Sequence, residues 1–390
     1  LYGYAMCQSL PRSDFKWLDP VPTVDEVIRS LTERGVNQPS SQGNLFEVDL
    51  HYPKELHDLH NSYPLAPEAA IIPISRMSPY QHRLIKKLDL NPENMKLVTT
   101  LDDKIRYVVH EDILRLYLGF GLQITRVHRV LQFTQSAWLQ PYIEFNTELR
   151  KKAANAFEKD FFKLMNNAVF GKTMENLRNR VKVDLMYPDN ARKLNRLISS
   201  PQYLSHKIFD GGIIAINTRL IKLKLSKPVY AGQAILDLSK HLMYKFWYGH
   251  ITPLYGDKAQ LIYTDTDSLL FEVKTLTSEP DVYENMKTHS HLYDLSEYPK
   301  DHPLFDPRGA KIPGLMKDET AGSPITHVVA IRSKMYALKT SAKISPDGRI
   351  DTSSVKITKK AKGVTRTVVK QDLTYEMYKQ CLDEAIVFRH

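Results

Sequence analysis

Two spacings of hydrophobic positions run through this chain. Leu149, Ala153, Phe157, Phe161, Met165 and Ala168 recur at steps of three and four, which predicts one long helix. Asn146-Thr147 offers its cap, and Gly171 is placed to end it. A second helical pattern covers 234–248, with Ile235, Leu238, Leu242 and Phe246 on one face. Residues 45–135 carry shorter pieces, among them LFEVDLHY (45–52), KLVTTL (96–101), KIRYVVH (104–110) and LQITRVHRVLQF (122–133), and read as a small α+β unit. Residues 181–225 alternate strand-like runs with turns, including Asp210-Gly211-Gly212 before 213–216. LIYTDTDSLLFEV (261–273) places two apolar runs around a polar centre, which predicts a hairpin. HVVAIRSKMYAL (327–338) reads as a strand, and 373–390 as a helix that runs out without a cap. Turn signals stand at Pro11, Pro20, Pro22 and Gln38-Pro39-Ser40-Ser41, and no repeat of period 20–50 is visible.

The 390 residues allow two to four compact units, at roughly 100–200 residues each. Hydrophobic (42%) and charged (25%) fractions are those of globular proteins and argue against wholesale disorder. Cys7 and Cys381 alone supply neither a disulfide framework nor a thiolate zinc site, so a reducing intracellular setting is expected. No apolar run approaches the ~18–20 residues of a membrane span, and LYGYAMCQSL lacks the pattern of a signal peptide. Charge changes the picture more. Lys and Arg (54) exceed Asp and Glu (44), for a net charge of +10. With 21 Tyr, 14 Phe and 3 Trp, that balance suits a phosphate-rich partner whose bases stack on rings.

Three short motifs carry candidate chemistry. In Tyr263-Thr264-Asp265-Thr266-Asp267-Ser268, two carboxylates spaced i, i+2 at a hairpin are expected to project to one side. Like charges at the edge of a core are costly, and a divalent cation removes that cost; Mg²⁺ takes one or two protein carboxylates plus substrate phosphates. A solvated polar turn is the simpler alternative. In the second motif, Lys163, Asn167 and Phe170 fall within roughly 60° of one another around a helix. Such a cation, amide and ring stripe can hold a triphosphate, a sugar or base edge and the face of a base pair, or can be an ordinary solvated face. The third is Lys334-Met335-Tyr336, an ammonium and a phenol expected on one face of a strand, where they suit a backbone phosphate. The run Lys356…Lys359-Lys360-Ala361-Lys362 adds a basic patch.

Taken in this order, the motifs resemble those of the family B DNA polymerases, in particular the protein-primed branch of bacteriophages, linear plasmids and Polinton/Maverick transposons. The fingers motif there reads K-x-x-x-N-S-x-Y-G, the palm motif Y-x-D-T-D-S, and K-x-Y follows. Lys163, Asn167 and Gly171 match the first, with Ala168 where Ser is usual and Phe170 where Tyr is usual, two lost hydroxyls that bear on nucleotide discrimination. Residues 142–180 and VYAGQAILDLSKHLMY (229–244) look like the transposon form. The opening Leu1-Tyr2-Gly3 resembles the end of a first palm motif D-x-N-x-L-Y-G. The resemblance therefore implies a chain that starts just after that motif's metal-binding Asp, with the exonuclease domain absent. Val48-Asp49-Leu50-His51-Tyr52-Pro53 only imitates such a motif, and Asp49 is read as structural.

What the resemblance implies is an α+β right-hand fold: a palm antiparallel sheet, helical fingers and a partial thumb. Its divisions would be a palm piece at 1–40, an insertion of the priming-protein type at 41–135, fingers at 136–180, a processivity-type insertion at 181–225, palm with the acidic hairpin at 226–345, and a partial thumb at 346–390. Asp265 and Asp267 would be catalytic and hold Mg²⁺, in a two-ion site incomplete in this chain. Tyr2, Lys163, Asn167 and Phe170 would bind nucleotide, and Gly171, Thr266, Lys334, Tyr336 and Lys362 would bind DNA. The partners implied are primer-template DNA, deoxynucleoside triphosphates and a terminal priming protein, acting on a monomer, in the nucleus for a transposon product and otherwise with a virus or organellar plasmid. Two other readings stand beside this one: a decayed element that binds DNA without copying it, and a metal-dependent glycosyltransferase using Asp265-Thr266-Asp267 as its D-x-D.

Overall fold

A computed structural model of the chain describes residues 1–33, 41–274, 281–341, 355–384, 386 and 388. The turn expected at Gln38-Pro39-Ser40 lies outside the described residues, as does part of the expected C-terminal helix. That helix is described over Tyr375–Glu384.

The largest sheet is four-stranded and antiparallel. Gln123–Ser136 pairs with Leu10–Trp17 on one side and Gln42–His51 on the other, and Lys104–His110 completes the sheet beyond Gln42–His51. Residues on either side of the expected boundary at 40/41 therefore share one sheet. The inward side chains Phe46, Val48, Leu50, Val109 and Val130 are buried against helix Glu111–Gly119 and the end of helix Val229–Phe246, which forms the central pillar of the molecule. A smaller three-stranded sheet, Val181–Met186, Ile214–Arg219 and Tyr203–Ile208, carries its own core of Met186, Ile214 and Ile216 beneath helix Ala191–Ile198. Gly211 and Gly212, both at positive φ, make the turn expected there.

The long helix expected from Leu149 to Ala168 is two helices, Gln140–Lys152 and Ala156–Thr173. Asn155 breaks it: its carboxamide accepts the Glu158 N–H at 2.9 Å, and Glu158 reaches back to the Ala154 N–H at 2.9 Å, a reciprocal cap stronger than continuation through Ala153-Ala154. Asn146 is no cap; it is buried within the first helix. Gly171 does not end the second, which runs on to Thr173.

A second core joins segments far apart in sequence. Ala5, Met6 and Leu10 pack with Leu139 and Ile143 on Ala234, Ile235 and Leu238 of the central helix, and Tyr2, Val169 and Phe170 close the edge. Tyr4, on the short helix Tyr2–Met6, rests against Gly314 (φ +97°), where an added Cβ would sit 2.5 Å from the Tyr4 ring. Gly314→Ala combines a left-handed backbone with an overlap, and is expected to destabilise the protein by about 2–3 kcal/mol, read from urea unfolding. An unchanged midpoint would mean that Tyr4 moves aside freely.

Candidate active site: the acidic hairpin and its neighbours

The acidic hairpin is Ala259–Asp265 paired with Ser268–Val273, with Thr266-Asp267 as its tip. It pairs with no other strand among the described residues, where the sequence implied a hairpin within a palm sheet. Packing holds it instead: Leu261, Leu269 and Phe271 turn toward the main core, and the Phe271 ring meets Trp247 edge-on at 5.6 Å. Asp265 closes the strand and Asp267 stands in the turn, so the two carboxylates are not successive positions on one strand face as expected. The reason is the tightness of the tip, where the Asp267 N–H donates back to the Asp265 carbonyl at 2.6 Å. Thr266 takes φ +58°, a conformation that costs a β-branched residue about 1–3 kcal/mol. Its hydroxyl lies 3.3 Å from Asp265 Oδ1.

The hairpin Ile325–Arg332 and Met335–Thr340 brings its own tip against the acidic one. Lys334 lies in that turn at φ +60°, not on the strand as expected. Its Nζ stands 2.6 and 2.9 Å from the two oxygens of Asp265. Hydrogen bonding to Asp265 holds this ammonium above its usual range, desolvation opposes the rise, and the charges of Asp265 and Asp267 add to it. The backbone of the turn is pinned on both sides. The Lys334 N–H donates to the Tyr263 hydroxyl at 2.8 Å, and the Lys334 carbonyl accepts the Lys362 N–H at 3.0 Å. Tyr336 packs its ring on Tyr263 at 5.0 Å, and burial pushes its phenol up.

The third wall comes from the N-terminal helix and helix Ala156–Thr173. Tyr2 stacks on Phe170, ring centroids 4.3 Å apart and planes 21° from parallel. Burial raises the Tyr2 phenol above its usual range; the field of Asp267 adds to the rise and that of Lys334 opposes it. Burial lowers the Leu1 amino group, Asp267 resists, and Lys163 lowers it further. Tyr2, Phe170, Lys163, both aspartates and Lys334 thus share one neighbourhood. Asn167 and Gly171 are exposed on the same helix, and Lys362 joins the site through its backbone. Tyr263, the anchor of the Lys334 turn, opens the acidic motif, and nothing in its sequence position announces the hydrogen bond it accepts.

Asp267 is exposed, and its carboxylate carries no hydrogen bond or ion pair among the described residues. Two carboxylates at an open tip are a donor set suited to a hard cation that completes its shell with water and phosphate oxygens. Among the described residues no group of three or more His, Cys, Asp or Glu side chains converges to hold a metal. Asp49 is engaged elsewhere, accepting the Arg106 N–H and pairing with His128 Nε2, each at 2.7 Å. No described helix is long and apolar enough to cross a membrane.

No protein-family model matches the chain, and no curated protein matches it by sequence. Solved structures do. A Phi29 DNA polymerase in an orthorhombic crystal form superposes over 97% of this chain with a TM-score of 0.53 at 14% identity. Phi29 polymerase with primer-template DNA and incoming nucleotide superposes over 97% with 0.51 at 16%, and its post-translocation complex with primer-template DNA over 97% with 0.51 at 15%. In each case the chain spans 51% of the matched polymerase. At that identity the property held in common is the three-dimensional arrangement, and the chain has a DNA polymerase-like fold.

Proposed function

We propose that this chain is the polymerase portion of a protein-primed family B DNA polymerase, carrying out template-directed nucleotidyl transfer with two metal ions. The observation that carries the reading is the meeting of Tyr2, Lys163–Phe170 and Asp265–Asp267, three segments distant in sequence, around one tip. Asp267, with Asp265 beside it, would hold Mg²⁺. When bound, Mg²⁺ would acidify the primer hydroxyl and offset charge on the departing pyrophosphate. The chain's own part is positional and electrostatic. Lys163 faces the β- and γ-phosphates with a fixed positive charge that need not reorganise as negative charge builds. Tyr2 lies under the sugar, backed by Phe170, so that the stack leaves little room for a 2′-hydroxyl. Asn167 suits a sugar or base edge, while Gly171, Thr266, Tyr336, Lys362 and Lys334 lie where primer-template DNA would pass. Residues 41–135 are assigned to contact with a priming protein and 181–225 to processivity.

Primer extension tests this, with labelled primer-template, Mg²⁺ and four deoxynucleoside triphosphates. It compares the 390-residue chain with one carrying a D-x-N segment ahead of Leu1, the Asp that the two-ion site requires. Extension by the longer chain, weak or absent in the shorter, is the expected result. Salt-sensitive DNA binding without extension by either would favour a decayed DNA-binding remnant. Absence of both would return Asp265-Thr266-Asp267 to the glycosyltransferase reading.

A further inference from the structure

The contact that sequence reasoning did not anticipate is the one between Lys334 and Asp265. Lys334 was expected to face a DNA phosphate; here it grips both oxygens of a candidate metal ligand. We propose that Lys334 is the exchangeable counter-ion of the acidic hairpin, held by Asp265 when no divalent cation is bound and released by the cation's arrival. The inference rests on the reading that Asp265 and Asp267 hold that cation.

Three features support exchange over a permanent bridge. First, the ammonium bridges both oxygens of Asp265 and takes two of the carboxylate's four lone-pair sites, so a cation can grip both oxygens at once only by displacing it. Second, the scaffold fixes the turn and leaves the side chain free. The Tyr263 hydroxyl and the Lys362 N–H clamp the Lys334 backbone, whereas its side chain is 42% exposed and can swing into solvent without disturbing a core. Third, the chemistry is that of a releasable pair. Lysine is a point charge on a flexible stem, without the planar fork by which arginine locks a carboxylate, and half-exposed ion pairs are weak. A divalent ion, with twice the charge and access to the exposed Asp267 as well, has the advantage. Once displaced, the ammonium is tethered beside the tip and is available to a phosphate oxygen. The observed ion pair and the expected phosphate contact are then two states of one residue, and Tyr263 is the positioning residue that keeps it within reach of both.

Mn²⁺ titration followed by electron paramagnetic resonance tests the exchange, on the chain that carries the D-x-N segment ahead of Leu1, taken here as wild type, and on its Lys334→Met and Asp265→Asn variants, each checked for folding by circular dichroism. Lys334→Met is expected to bind Mn²⁺ about five- to tenfold more tightly than wild type, and Asp265→Asn much more weakly. A second readout uses the wild type alone: amine acylation at Lys334, quantified by mass spectrometry, is expected to rise several-fold when Mn²⁺ is added. In Asp265→Asn it is expected to be high already and indifferent to Mn²⁺. Equal or weaker Mn²⁺ binding by Lys334→Met, or Lys334 acylation in the wild type that ignores Mn²⁺, would overturn the exchange while leaving the metal reading in place. Asp265→Asn that binds Mn²⁺ like wild type, or no binding by wild type and Lys334→Met alike, would remove the metal reading and the exchange together.

Discussion

Asp267→Asn is expected to leave the protein folded and to lower nucleotide transfer about a thousandfold or more, measured as single-turnover incorporation in the chain that carries the upstream aspartate. Asp267 is the carboxylate of the tip that carries no hydrogen bond or ion pair among the described residues. Asn keeps the shape and removes the charge, so the change falls on cation binding alone. A thousandfold loss corresponds to about 4 kcal/mol of transition-state stabilisation, at ~1.4 kcal/mol per factor of ten. That is the scale of removing a preorganised electrostatic contact from a reacting centre. Because the residue is exposed in a turn, its thermal midpoint is expected to stay within a degree or two of wild type, a change of no more than ~0.5 kcal/mol. An unchanged rate would mean that the acidic hairpin is a solvated turn.

Asp237→Ala is expected to be the most damaging single change to stability, by about 3–5 kcal/mol in urea unfolding. Asp237 lies on the central helix with no exposed surface. Its Oδ2 accepts the His110 N–H at 2.7 Å and the Gln233 amide at 3.2 Å, and Lys240 Nζ stands 2.8 Å from Oδ1. Burial works against the Lys240 charge, yet Asp237 and Tyr107 keep it above the usual lysine range. Alanine therefore strands a cation and a buried backbone donor at the junction of pillar and main sheet. Asp237→Asn retains an acceptor for His110 and is expected to lose about half as much. Equal losses from the two variants would show that charge, not the hydrogen bond, carries the joint. The same helix supports Ala5, Met6 and Leu10 through Ala234, Ile235 and Leu238, so loosening it should also blur the position of Tyr2.

Much of the site was legible because its signals are local. The YTDTDS block announced a hairpin, since a polar tip between apolar runs satisfies both strands and turn. The 3.6-residue spacing put Lys163, Asn167 and Phe170 on one helix face, and Phe170 does meet Tyr2. Apolar periodicity from Leu149 to Ala168 continues across Ala153 and so predicts one helix, whereas the decisive feature is a polar cap at Asn155 that splits the segment in two. The pattern of 327–338 predicts a strand through Lys334, because a lysine at positive φ leaves no trace in composition, unlike the glycines at 211 and 212.

The sequence by itself determined where helical and strand-like apolar patterns fall and which types of residue stand at the site, through periodicity, turn chemistry and motif. It also marked the basic balance that suits a polyanionic partner. Only the tertiary structure decided which groups touch. Packing of Ala5, Met6 and Leu10 on the central helix carries Tyr2 to Phe170, and packing of the acidic hairpin on Trp247 carries Asp265 to the tip that holds Lys334. Such contacts arise from burying non-adjacent apolar surface. Burial is indifferent to separation along the chain, and so no local pattern records it.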